Sequence, residues 1–186
     1  SGKAMVDGMD ILEHPMEVKK KIGFLPEQPP LYLDMTVREY LNFIYDLRKC
    51  KLNRKQHIAE IIRVVKLEGT ENRMIKNLSK GYRQRTCFAQ AIIHDPKVLI
   101  MDEPTDGLDP NQKYVVREMI KEMAADKAII ISTHILEEVD AVCTRAIVIA
   151  RGEIKADGTP EKLRAMDPSG KLDVVFRSLT MDKEVK

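Results

Sequence analysis

Two adjacent carboxylates that end an apolar run are the residues of this sequence best suited to chemistry. Asp102 and Glu103 directly follow Val98–Met101. A short apolar run that meets charge at once is typical of a buried parallel strand, and open α/β sheets bind ligands at that strand end. One carboxylate could hold a divalent cation while its neighbour orients or deprotonates a water. The same pair could also close a strand as two solvated acids.

A predicted helix start at Ser79 is the second feature suited to ligand binding. Ser79 would cap a helix that runs to His94 and stops at Asp95-Pro96. The free N–H groups and the dipole at such a start favour an anion. An ordinary N-capped helix would explain the same residues.

Four short strings together carry a family resemblance. The sequence resembles ATP-binding cassette (ABC) ATPases, in which such strings are the signature, the Walker B strand, the D-loop and the switch histidine. They stand in the family's order with family-like spacing, and recognisable pattern covers most of the chain. The strings are LSKGY at 78–82, LIMDEP at 99–104, GLDP at 107–110 and STH at 132–134.

The resemblance implies a role for each matching residue. Asp102 would associate with magnesium, Glu103 would be the general base or position the water, and His134 would contact the terminal phosphate. Without the resemblance, a lone histidine after a strand would more often be a surface residue. The residues that would serve a nucleotide shared with a partner subunit are Ser79, Lys80, Gly81 and the D-loop aspartate Asp109.

The signature and the Q-loop depart from the family's pattern. Lys80 replaces a glycine and adds a charge that could help binding or simply be solvated, and Tyr82 replaces a glutamine. The family's Q-loop glutamine, which touches magnesium, aligns best with Glu27 after Leu25-Pro26, and Gln28 is the alternative. A carboxylate at this position can still hold magnesium or a water.

The glycine-rich phosphate loop of P-loop NTPases has no match in this sequence. Ser1-Gly2-Lys3-Ala4 is not that loop, because no glycine loop precedes Lys3 and Ala4 lacks the hydroxyl that binds magnesium. The segment instead resembles the family sequence just after the P-loop helix. We therefore expect a cassette truncated after its P-loop, and we expect this piece alone to be inactive.

Composition excludes several function classes. The formal charge of the 186 residues is +2, so no strong field favours nucleic acid or an anionic membrane. No apolar run approaches the roughly 20 residues of a membrane span. The three cysteines form no CxxC pair, which predicts reduced thiols in a cytosol, with Cys87 and Cys143 buried.

The predicted elements place these motifs in an α/β fold. Strands that alternate with helices imply a parallel sheet of the P-loop NTPase type, incomplete because the Walker A strand, loop and helix are absent, with a helical signature subdomain. The expected segments are 1–33 with the Q-loop, 34–94 as the helical subdomain, 95–160 with Walker B, D-loop and switch histidine, and 161–186 as a C-terminal helical extension. The main predicted elements are strands at 97–102 and 128–132, helices near 54–65, 111–124 and 135–141, and a hairpin turn at 151–152. Residues 1–26 are predicted to form short strands with a turn at Asp7-Gly8, and Thr36 with Glu39 is predicted to be the capping box of a helix. Three histidines without partners at metal-ligand spacing are assigned to the surface: His14, His57 and His94.

The resemblance implies an ATP-binding and ATP-hydrolysing subunit of an ABC transporter, with ATP and Mg²⁺ as ligands. Expected partners are a second ABC ATPase subunit, in a homo- or heterodimer, and a membrane-spanning permease, without nucleic acid. The Glu27 loop, the LSKG signature, the GTPEKL segment and the LDVVF tail together resemble those of bacterial exporters. The expected location is the cytoplasm, peripheral on the inner face of the cell membrane. The alternative is a soluble ABC-type ATPase that acts on ribosomes or DNA.

Overall fold

The computed structural model describes residues 2–181, which belong to two compact units. One unit ends at Ser132 and the other begins at Thr133. Ser1, at the start of the predicted N-terminal segment, lies outside the described residues. So do residues 182–186, the end of the predicted C-terminal extension.

The first unit starts with a small hairpin and a short helix. Strands β1 (Met5–Val6) and β2 (Met9–Asp10) flank the predicted turn at Asp7-Gly8 and pair antiparallel. Helix α1 (Pro15–Lys21) was not predicted, because residues 1–26 were assigned to short strands. Its proline at the first helical position, Glu17 in the first turn and the lysines in the last turn are local helix signals that this interpretation overlooked.

A three-stranded parallel sheet forms the centre of the first unit. Its order is β3 (Ile22–Leu25), β4 (Val98–Asp102) and β5 (Ala128–Ser132). The middle strand buries Leu99 and Met101 completely. The register places Asp102 opposite Ser132, so the polar residues that end β4 and β5 meet at one edge of the sheet. The predicted parallel α/β fold is thereby confirmed.

Three helices lie between β3 and β4 in the chain: α2 (Val37–Leu47), α3 (Arg54–Val64) and α4 (Lys80–Ile92). The predicted capping box is present, because the Thr36 side chain accepts from the Glu39 backbone and the Glu39 carboxylate accepts from Thr36. Helix α4 contacts α2, α3 and β3. The boundaries 34 and 94 stay a prediction.

Helix α5 (Pro110–Met123) connects β4 to β5. Its buried face consists of apolar residues at helical spacing, as expected for a crossover helix that covers a parallel sheet. These residues are Val116, Met119, Ile120 and Met123.

The second unit combines helices with one hairpin. Its elements are α6 (Leu136–Val142), β6 (Ala146–Ala150), β7 (Glu153–Gly158), α7 (Pro160–Arg164) and α8 (Leu172–Thr180). The predicted turn at Arg151-Gly152 joins β6 to β7. Helix α8 contacts β6, β7 and α7. Within residues 2–181, every helix is too short or too polar to cross a bilayer.

Two histidines and one cysteine differ from their expected exposure. His57 and His94 were assigned to the surface, but both are half-buried. Their Nε2 atoms bond the carbonyl oxygens of Ile93 and Ile22 at 2.6 Å and 3.1 Å, respectively. Cys143 is half-buried rather than buried. Periodicity assigns apolar residues to faces, but it does not identify polar rings that pack against a neighbouring backbone.

Candidate functional site

The ends of β4 and β5 hold the central polar pair of the site. The Ser132 hydroxyl donates a hydrogen bond to Asp102 Oδ1. Because one carboxylate oxygen accepts this bond, the Asp102 side chain has a defined orientation at the sheet edge, and its other oxygen can serve a ligand.

Glu103 leaves the strand through an uncommon backbone conformation. Its φ is +46°, in the left-handed region that a residue with a side chain rarely adopts. The Glu103 N–H donates to the Ser132 carbonyl oxygen at 2.9 Å, which keeps this residue tied to β5. The chain therefore leaves the strand direction at the second acid.

The segment that follows is a series of turns that ends at a helix cap. The Asp106 N–H donates to the Glu103 carbonyl oxygen at 3.2 Å, and the Leu108 N–H donates to that of Thr105, also at 3.2 Å. Asp109 then caps α5, since its Oδ1 accepts from the N–H groups of Asn111 at 3.0 Å and Gln112 at 3.1 Å. We name residues 103–109 the Walker B turn segment.

The predicted cap of the signature helix is confirmed. Ser79 Oγ accepts from the Tyr82 N–H at 3.4 Å, and the helix begins at Lys80. Ser79 and Lys80 are exposed, whereas Gly81 is buried. A Cβ atom at Gly81 would lie 2.5 Å from Gln112 Oε1, so the absence of a side chain lets α4 approach α5 closely.

The start of α4 also contacts the Walker B turn segment directly. Lys80 Nζ donates to Asp106 Oδ2 at 3.3 Å. Gln84, which is buried, donates from Nε2 to the Pro104 carbonyl oxygen at 3.2 Å. The structure therefore brings the signature and the segment after Walker B together within the first unit.

Glu27 and Gln28 lie in an exposed bend just after β3. Leu25 is opposite Met101 in the parallel register, so Glu27 follows β3 at the same sheet edge as Asp102. His134 lies in an exposed bend two residues after β5, at the start of the second unit.

The oxygen ligands at this edge fit magnesium as part of a shared site. Magnesium is usually held by one or two carboxylates, waters and substrate phosphates rather than by an all-protein cage. Among residues 2–181 there is no cluster of three or more acidic, histidine or cysteine side chains arranged to hold a metal. The second oxygen of Asp102 and the carboxylate of Glu27 are therefore suited to a magnesium ion whose other ligands come from a nucleotide and water.

Sequence reasoning did not assign roles to Ser132, Gln84 and Asp106. A signal for Ser132 exists, because the apolar runs VLIMD and AIIIS have equal length and each ends in a polar residue. Parallel pairing of these runs places Asp102 beside Ser132. No local pattern connects Lys80 to Asp106 or Gln84 to Pro104, because those contacts depend on how α4 packs.

Comparisons with known proteins identify the family of this chain. The family model described as ABC transporter matches residues 1–106. The ABC transporter ATP-binding protein NatA of Bacillus subtilis is 36% identical over 182 residues, which cover 95% of this chain and 73% of NatA. The Nod factor export ATP-binding protein I of Cupriavidus metallidurans is 32% identical, over 88% of this chain and 54% of that protein.

A solved structure shows the same fold. It is cbiO1 from Clostridium perfringens, part of the ABC transporter complex cbiONQ, which matches with a TM-score of 0.78 and 26% identity. The match covers 89% of this chain and 68% of that chain. On both sequence and structure, the chain belongs to the ATP-binding proteins of the ABC transporter family.

Proposed function

We propose that this chain forms part of the ATP-hydrolysing subunit of a transporter that exports its cargo through a membrane permease. The observation that carries the proposal is the pairing of Asp102 with Ser132 at the strand ends, immediately before Glu103. This arrangement supplies an oriented carboxylate for a metal and a second acid for a water.

The proposed chemistry is attack of water on the terminal phosphate of ATP, which gives ADP and phosphate. Glu103 accepts the proton of the attacking water or positions that water, and His134 contacts the terminal phosphate. Asp102 would hold magnesium together with Glu27, or with Gln28 as the alternative. The bound magnesium ion would neutralise charge that develops on the phosphate oxygens.

We also propose that the catalytic unit is a dimer of two cassettes. The exposed start of α4, with Ser79 as its cap, offers free N–H groups that suit the terminal phosphate of a nucleotide held by the partner. Gly81 keeps this start close to α5, and Asp109 lies at the start of α5. The relative named for Nod factor export supports export as the direction of transport.

A groove in the first unit, lined mainly by aromatic and aliphatic side chains, supports the permease as a partner. The groove has a volume of about 520 Å³ and is lined by Pro30, Tyr32, Tyr40, Phe43, Ile44, Leu47, Arg48 and Gln90. Tyr32 and Phe43 pack edge to face at a centroid distance of 5.4 Å and remain partly exposed, as does Leu47. Exposed aromatic and aliphatic side chains in one concavity are typical of a surface that binds another protein. We assign it to a cytoplasmic segment of the permease, in keeping with a relative that is part of a transporter complex.

The test is co-purification of the intact subunit with a permease encoded by a neighbouring gene. We expect Phe43→Ser and Leu47→Ser to lower recovery of the permease at least severalfold, because each removes apolar contact area from the groove. Leu52→Ser is the matched control for Leu47→Ser, since Leu52 is as exposed as Leu47 but does not line the groove. Full recovery with both groove variants would contradict this partner.

The second part of the test is ATP hydrolysis by the intact subunit. We expect phosphate release that requires Mg²⁺, and Asp102→Asn should raise the Mg²⁺ concentration needed for half-maximal activity at least tenfold. Phosphate release that does not depend on Mg²⁺ would contradict the role of Asp102.

A further inference from the structure

We propose that Lys80 is a positioning residue, which holds the Walker B turn segment against the start of α4 through Asp106, and does not contact a nucleotide phosphate. This inference rests on the proposed function, because it concerns how the start of α4 and the Walker B turn segment stay aligned in that site. It also gives a role to the lysine that replaces the signature glycine of the family resemblance.

The first observation is the ion pair itself. Lys80 Nζ lies 3.3 Å from Asp106 Oδ2, and the side chains are 58% and 42% exposed. The two residues are 26 positions apart in the chain. The pair therefore connects two elements, whereas a pair within one helix, such as Lys121 with Glu118, does not.

The second observation is the space that the lysine occupies. Gly107 has a φ of +61°, and a Cβ atom at this position would overlap Lys80 Nζ, with Cε only 3.2 Å away. The end of the lysine side chain thus lies over the bare Cα of Gly107. Asp106 and Gly107 together accommodate the ammonium group. Asp106 supplies the opposite charge, and Gly107 leaves space because it has no side chain.

The third observation is that two further side chains of α4 contact the Walker B turn segment or helix α5. The buried Gln84 amide donates to the Pro104 carbonyl oxygen, and Arg85 Nη2 donates to Gln112 Oε1 at 3.2 Å. Helix α4 therefore contacts both the start of the Walker B turn segment and helix α5, which follows that segment. Among these α4 residues, Lys80 lies at the exposed start of the helix. There the helix's own backbone hydrogen bonds constrain the chain least.

These contacts indicate what the pair contributes. An exposed ion pair adds little to the free energy of folding. A pair that fixes the orientation of a turn beside a catalytic acid can still change a rate, because misplacement of reacting groups is costly. We therefore expect Lys80 and Asp106 to affect turnover much more than thermal stability.

The experiment compares four variants of the intact subunit: Lys80→Met, Asp106→Asn, the double variant, and the charge swap that combines Lys80→Asp with Asp106→Lys. We expect each single variant to lower kcat about two- to fivefold, since that corresponds to the loss of one exposed pair. The double variant should be no worse than either single variant, and the charge swap should recover most of the activity. The KM for ATP and the melting temperature should stay near the wild-type values.

Lys121→Met is the matched control, because it breaks an exposed lysine pair within α5 and should leave kcat unchanged. If Lys80→Met raises the KM while Asp106→Asn has no effect, Lys80 contacts the nucleotide and the inference is wrong. Unchanged kcat in all four variants also overturns it. Failure of the proposed function has a different signature, namely a wild-type subunit that does not hydrolyse ATP or a Glu103→Gln variant with full turnover.

Discussion

Ser132 and Asp102 are joined by a hydrogen bond between two neighbouring strand ends, although 30 positions separate them in the chain. The bond orients the aspartate before any ligand arrives. Pre-orientation of this kind is how outer residues tune a metal ligand, and loss of such a residue typically weakens metal binding about 10- to 100-fold.

We predict that Ser132→Ala in the intact subunit raises the Mg²⁺ concentration for half-maximal ATP hydrolysis about tenfold. The variant leaves Asp102 in place but removes the donor that orients it. Ser132→Thr keeps the hydroxyl and suits a strand, so it serves as the control and should stay near wild type. A magnesium titration of phosphate release measures both, and equal curves for Ser132→Ala and wild type would refute the orienting role.

For Glu103→Gln we predict that nucleotide binding is preserved while turnover falls about 10²- to 10⁴-fold, the usual cost of losing a general base. The substitution keeps the shape of the side chain and leaves Asp102 intact. With hydrolysis blocked, ATP should drive accumulation of a dimer on size exclusion. Glu118→Gln, a partly exposed change on α5, is the control. Turnover within a few fold of wild type would mean that Glu103 does not hold this role.

We expect the 186-residue chain by itself to show no binding of ATP at sub-millimolar ATP concentrations. The proposed roles of Asp102, Glu103 and His134 concern the metal, the water and the terminal phosphate, respectively. They do not replace a loop of backbone donors with its lysine, which supplies much of the positioning in phosphoryl transfer. Calorimetry with Mg²⁺ and ATP tests this expectation, and saturable micromolar binding would contradict it.

The chain by itself should also self-associate. Phe24, Ile100 and Ile130 stand in register across the sheet, and Phe24 and Ile130 are 49% and 59% exposed. Such a stripe favours contact with a second copy. Light scattering should show oligomers that Ile130→Lys reduces, whereas Leu12→Lys, an exposed control outside the sheet, should not. A monodisperse monomer at high concentration would show that the stripe is tolerated in water.

Acid should weaken the fold through His94. Burial, together with the positive charge of Arg48, lowers the pKa of this imidazole to about 4, against smaller opposing effects of the bond to Ile22 and the charge of Asp95. An unfolded histidine takes up its proton near pH 6.5, so between about pH 6.5 and 4 the unfolded state binds more protons. Stability is therefore lost as the pH falls through this window.

The measurement is the midpoint of urea unfolding between pH 7 and pH 5. His94→Gln keeps an N–H donor without a titrating ring, and we expect a smaller loss of stability between these pH values than in wild type. His14→Gln changes an exposed ring and is the control. If wild type and His94→Gln lose stability equally, the acid sensitivity arises elsewhere.

Local patterns predicted most of the framework of the site. Thr36 with Glu39 and Ser79 before α4 are caps that a sequence shows directly, and the apolar runs before Asp102 and Ser132 mark the two strands. The same local signals were present at Pro15, but a strand assignment for residues 1–26 obscured them.

The remaining features depend on distant parts of the chain. The left-handed backbone at Glu103 is held by a hydrogen bond to Ser132. The ammonium group of Lys80 is accommodated by Asp106 and Gly107. The half-buried ring of His94 likewise depends on the carbonyl oxygen of Ile22. Such contacts arise only after helices and strands pack, so propensity and periodicity cannot reveal them.

The order of the strands has a consequence for how this chain folds. β3 pairs with β4, yet residues 26–97, including α2, α3 and α4, lie between these two strands. Pairing them closes a long loop, whose entropic cost must be met before the sheet contributes its own contacts. The helices between them have mostly local contacts and can form early, so their docking shortens the effective loop. Refolding should therefore be limited by the step that joins β3 to β4, with helical signal recovered before the sheet edge that carries Asp102 is complete.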